Sequence, residues 1–273
     1  MVDLVVVAGT TVIVPLALLL VHGDVRVSAG AAAAGCVGAA SFLFDEGRVA
    51  AVLVIPWGIV VAALAWGRVR AFLRTRRGVA EVIASCFLAG GAGWLVLSRY
   101  GAAPLGFGDT IVELTAMHFH YAGFVAPVVT LQLARRLRES GAPADGLVEV
   151  SVYVVLAATP ITAAGITFAS WMGAVGALLF TIALTASSIV TLGFVMRDVR
   201  GAPRALLVIS ALSVLLPMAL AVTYAAGRWL PTPAPSIPVM VWTHGLLNAF
   251  GFALCGVCGW LLVQARRGSN VTR

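Results

Sequence analysis

Charge is scarce in this sequence. Only 11% of its 273 residues are charged, none of them is lysine, and 61% are hydrophobic. Together with a mean hydropathy of +1.03, this excludes an ordinary water-soluble domain. Long polar linkers and low-complexity tails are missing as well, which predicts one transmembrane domain over residues 1–273. The first apolar run has no basic segment ahead of it and carries Asp3 instead, so it is expected to stay as the first helix and not to be cleaved as a signal peptide. Four cysteines, Cys36, Cys86, Cys255 and Cys258, all fall inside apolar runs. Cys255 and Cys258 spell CxxC without a second pair, which suits small apolar packing better than redox chemistry or metal binding. No cofactor and no metal site are expected. No DDxxD-type stretch is present to hold magnesium and a diphosphate.

Long apolar runs are what the sequence does have. A span needs about 20 apolar residues, and about nine such runs fall near 2–21, 27–44, 48–66, 80–98, 111–134, 147–171, 172–196, 205–227 and 238–264. The expected fold is therefore all-α, a polytopic bundle in the cell membrane. The net charge of +7 comes from arginines confined to the stretches between runs, which argues against nucleic acid as a partner. One group is Arg68, Arg70, Arg74, Arg76 and Arg77, taken as a loop. Others are Arg135, Arg136 and Arg138, then Arg197, Arg200 and Arg204, and a tail with Arg266, Arg267 and Arg273. With Arg26, fifteen arginines lie on one side of a nine-span chain, against Arg48, Arg99 and Arg228 on the other. The positive-inside rule then sets the N-terminus outside and the C-terminus in the cytoplasm.

Ionisable residues inside spans cost about 2.5 to 3.5 kcal/mol each on the insertion scale and mark functional sites by default. The fifth run contains Glu113-Leu-Thr-Ala-Met-His-Phe-His-Tyr-Ala-Gly-Phe124, with Glu113 in the first turn and His118 and His120 about 10 to 14 Å further in. The ninth run carries His244 about 9 Å in and Asn248 about 15 Å in. At 100° per residue Glu113, Met117, His120 and Phe124 share a stripe with Tyr121 beside it, whereas His118 lies well round the helix, toward a neighbouring one. His244, Asn248 and Gly251 share a face opposite Trp242. Asp45, Glu46 and Asp109 add acids on the outer side, and Asp45 and Asp109 are further candidate proton donors beside Glu113. His22, next to Asp24 in an inner turn, is taken as structural.

The strings His118-Phe-His-Tyr-Ala-Gly-Phe124 and Trp242-Thr-His-Gly-Leu-Leu-Asn-Ala-Phe-Gly-Phe252 resemble the YndJ-like family of bacterial membrane proteins. The chain is also similar to the small membrane-bound terpenoid cyclases of actinobacterial indole and diketopiperazine meroterpenoid pathways. That likeness implies a proton-initiated cyclase, in which a carboxylic acid protonates an alkene or epoxide of a lipophilic prenylated substrate and water is kept from the cations that follow. Glu113 would be the acid, oriented by His118, His120 or His244 with Asn248. Met117, Phe119, Tyr121, Phe124, Trp171, Tyr224 and Trp242 would line the substrate site, their aromatic faces steadying cations. Two alternatives use the same residues. A proton-coupled small-molecule transporter would use them as a relay, although no inner polar set is evident to match the outer one. A haem or metal protein would use the histidines as ligands, although the HxH spacing points His118 and His120 about 160° apart on a helix.

Overall fold

The computed structural model describes residues 2–142 and 144–271, and Arg273 lies outside them. Among the described residues the chain is helical without strands, and nine helices are long and apolar enough to cross a membrane. They are α1 Val2–His22, α2 Val25–Leu43, α3 Arg48–Thr75, α4 Val79–Tyr100, α5 Asp109–Ser140, α6 Asp145–Thr167, α7 Ser170–Val195, α8 Ala202–Gly227 and α9 Ile237–Arg267. A helix is what lipid demands of a lone crossing segment, because every backbone N–H and C=O must be satisfied within it.

The ends of these helices follow local chemistry. Gly23, at a φ of 68°, closes α1 by donating its N–H to Leu19 O, and the Asp24 carboxylate then caps α2 by accepting from Arg26 N at 2.8 Å. The extended backbone of Ala169 separates α6 from α7. The sixth crossing thus ends at Thr167, ahead of the expected limit at 171. A second departure concerns the arginines. Arg68, Arg70 and Arg74 stand on α3, and Arg135, Arg136 and Arg138 on α5, so helix continues beyond the apolar run in both places. Continuing the helix keeps the backbone bonded while the long side chains extend to water. In α8, helix is interrupted at Val214. Pro217 follows three residues later, has no N–H to give and crowds the preceding turn.

Three crossings contain π-helical turns: Gly9–Ile13 in α1, Tyr121–Val125 in α5, and both Val241–Gly245 and Leu247–Leu254 in α9. Each such turn widens the helix by one residue and is frequent at functional sites. Both histidine-bearing strings run into one.

The chain forms two compact units, Met1–Val128 and Val129–Arg273, which meet in sequence within α5. In the first unit α2 approaches α1 so closely that a Cβ at Gly35 would collide with the Thr10 carbonyl, and α4 rests on α5 through Gly91. In the second unit, α6 pairs with α7, and α8 with α7 and α9. Ser210 on α8 donates to the Phe252 carbonyl of α9 at 2.7 Å, inside the longer π-helical turn.

Candidate functional site

His120 is fully buried in the first unit. Its Nδ1–H donates to Ala116 O at 2.7 Å, one turn back on α5, so its Nε2 is the acceptor and takes the indole N–H of Trp57 from α3 at 3.0 Å. The two rings lie nearly parallel, 16° apart in plane with centroids 5.9 Å apart. A neutral imidazole has one donor and one acceptor, and here both are used. Gly91 on α4 makes room for this arrangement, since a Cβ there would sit 2.8 Å from His120 Nδ1 and 2.8 Å from Phe119 Cβ.

The polar groups at the Asp3 end of the unit are arranged differently. Glu113 is half-buried, with Asp3 of α1 and Arg99 of α4 as its charged neighbours, and its Oε1 is buried without a hydrogen-bond partner. Arg99 is only 8% exposed. It donates through Nη2 to Ser41 O at 3.1 Å and Phe44 O at 2.8 Å, reaches Glu46 at 3.8 Å and sits over the Phe42 ring at 4.6 Å. Its Nε and the fully buried Ser41 Oγ have no partner either. Three buried polar atoms are therefore unpaired around one arginine and one carboxyl. Each costs about 1 to 3 kcal/mol if left so, and such atoms are ordinarily satisfied by water or a ligand.

The opposite end of α1 holds a second polar set. His22 ends α1 with its Nε2 buried and unpartnered, and its charged neighbours are Arg68 and Asp24. Arg68 reaches from α3 to the Val21 carbonyl at 2.6 Å. His22, read from the sequence as structural, is thus one more buried polar group without a partner, at the other end of α1 from Asp3. Helix α1 carries one acid-bearing end, Asp3, and one histidine-bearing end. Between them, the Tyr121 hydroxyl of α5 donates to Val5 O at 2.9 Å, and its ring faces Gly9 at the start of the π-helical turn.

The other expected site residues divide by unit and exposure. Met117 and Phe124 are buried beside His120, and Phe119 is half-buried with its ring 5.7 Å from that of Phe87. The helical phase placed Met117, His120 and Phe124 inside as expected. His118 does not reach a neighbouring helix. It is exposed, and its Nδ1–H returns to Leu114 O on its own helix at 2.7 Å. A position turned away from the packed stripe leaves the preceding turn's carbonyl as the nearest acceptor. Asp45 and Asp109 are exposed. In the second unit the His244 Nδ1–H donates to Pro217 O on α8 at 2.8 Å, and its Nε2 accepts from Asn248 at 3.2 Å. Trp171 and Trp242 are exposed there and Tyr224 is half-buried. With both nitrogens of His120 and His244 engaged, neither offers a free lone pair to a metal. Among the described residues no group of three His, Cys, Asp or Glu side chains is placed to hold one.

Sequence reasoning did not single out Trp57, Arg99, Ser41 or the pairing of Asp3 with Glu113. A signal for the first existed, because an indole N–H inside a span needs an acceptor and His120 was the obvious one. Arg99 was legible only as an outer-side charge.

The model of the YndJ-like protein family matches residues 4–252, so the chain belongs to that family. It is 27% identical over 180 residues to the "Uncharacterized membrane protein YndJ" of Bacillus subtilis (strain 168), an alignment covering 66% of this chain and 32% of that protein. The chain thus spans about a third of the length of that relative. No solved structure matches it. It is a multi-pass membrane protein, as both the nine apolar helices and the relative indicate.

Proposed function

We propose that this YndJ-like protein is a proton carrier whose first unit moves protons between an outer carboxyl site and an inner histidine site. The observation that supports this most is the pair of unsatisfied polar sets at the two ends of that unit, Glu113 Oε1 with Arg99 Nε and Ser41 Oγ outside, and His22 Nε2 inside. Intramembrane groups of this kind commonly serve relays. Asp3 and Glu113 exchange the proton with the outer solution. Arg99, fixed by the Ser41 and Phe44 carbonyls, anchors the outer site. His22 and Asp24 deliver the proton inside. His120, its Nδ1–H given to Ala116 and its Nε2 to Trp57, takes up no further proton and seals the middle of the unit. Transfer past it needs a rearrangement of α1 against α5, where the π-helical turns and the Tyr121–Val5 bond lie. The test is proton uptake by vesicles holding the purified protein under an imposed pH gradient. Flux should exceed that of empty vesicles, and Asp3→Asn and His22→Gln should each return it to that baseline. Equal flux in protein-containing and empty vesicles overturns the proposal.

A second reading draws on Glu113 alone. A half-buried carboxyl with one free oxygen, on the stripe of buried Met117 and Phe124, also suits the acid of a proton-initiated terpenoid cyclase acting on a prenylated indole or diketopiperazine. Membranes containing the protein, incubated with such substrates with and without a terminal epoxide, would then yield products of unchanged mass and new retention time.

A further inference from the structure

We propose that a cavity in the second unit binds one small electropositive guest, a water molecule or a sodium ion, through hydroxyl oxygens. The cavity measures about 20 Å³ and is lined by Thr130 of α5, Ser187 and Thr191 of α7, Ser210 of α8, and Phe252 and Trp260 of α9, among others. That is about the room one water needs, and polar cavities of this size are filled whereas purely aliphatic ones stay dry.

The hydrogen bonds around it select the guest. Ser187 donates to Ala183 O at 2.8 Å, Thr191 to Ser187 O at 2.8 Å and Ser210 to Phe252 O at 2.7 Å. A hydroxyl has one hydrogen and two lone pairs. With the three hydrogens directed at backbone carbonyls, these side chains have only lone pairs left for the cavity. Toward these three a guest must donate hydrogen bonds or present positive charge, and an anion or a carbonyl oxygen meets no donor from them. Ser210 is 3% exposed and Ser187 6%, so their dipoles act in a medium of low dielectric constant and count for more than they would in water. Hydroxyl oxygens are also among the neutral oxygen ligands that hard cations accept. The π-helical turn Leu247–Leu254 contributes directly, since the carbonyl that holds the Ser210 hydrogen belongs to it. The guest would join four helices of the unit at one point. This site is independent of the proton path in the first unit, and its test needs no transport.

Thermal unfolding of the purified full chain in detergent, in sodium, potassium and choline chloride at equal ionic strength, is combined with density maps in the sodium and choline salts. Two results support the proposal. A higher midpoint in sodium than in choline, abolished by Thr191→Val, identifies the guest as the ion. Equal midpoints with a single density peak in the chamber in both salts identify it as water. Equal midpoints with an empty chamber in both maps overturn it.

Discussion

His120 and His244 stand in different units, each beside or within a π-helical turn and each with both ring nitrogens engaged, yet their bonds run in opposite senses. His120 spends Nδ1–H on its own helix and uses Nε2 to take the Trp57 indole from α3. His244 sends Nδ1–H to the Pro217 carbonyl of α8 and uses Nε2 for Asn248, one turn along its own helix. A histidine in lipid thus clamps two helices with one nitrogen and satisfies the other locally. The first clamp depends on a side chain and is fully buried. The second depends on a backbone carbonyl beside a helix break and is half-buried. The proton path proposed for the first unit goes round such a clamp, not through it.

Substitutions separate the two clamps, and the largest effect is expected at Trp57. Replacing it with Ala leaves a large void and an unpaired imidazole nitrogen, a loss of about 3 to 5 kcal/mol. Trp57→Phe, which mostly removes the N–H, should cost about 1 to 3 kcal/mol. Unfolding in mixed detergents would rank the two, and a Trp57→Phe variant as stable as the wild type would mean that the indole bond contributes nothing. Gly91→Ala comes next, since the new methyl group meets His120 and Phe119. A loss of about 1 to 3 kcal/mol is expected. Gly93→Ala, which meets nothing within 4 Å, is its neutral control in the same assay. Asn248→Ala should cost about 1 kcal/mol, because the Pro217 clamp persists without it. His118→Gln should change stability by less than about 0.5 kcal/mol. A larger loss there would show that His118 contacts more than its own helix.

Much of the fold was legible because lipid imposes a length and a composition on every crossing. Nine runs, their approximate limits and the inward stripe of Met117, His120 and Phe124 follow from hydropathy and a 100° repeat. The π-helical turns were not legible, because they depend on how Tyr121 meets Gly9 and how Phe252 meets Ser210, contacts between segments far apart in sequence. The same is true of the candidate site. Glu113 stood out alone, but its neighbours Asp3 and Arg99 come from α1 and α4, and only packing brings them to it. His22 resembled a turn residue because its charged neighbour Arg68 was assigned to a loop, when helix α3 in fact continues through it and holds its side chain on the Val21 carbonyl of α1.

Proton flux through Glu113→Gln vesicles tests the central claim most directly. Glutamine keeps the shape and hydrogen-bonding reach of the side chain but cannot release a proton. Flux at the level of empty vesicles is expected, from protein that unfolds at the wild-type midpoint. Wild-type flux through that variant would contradict it.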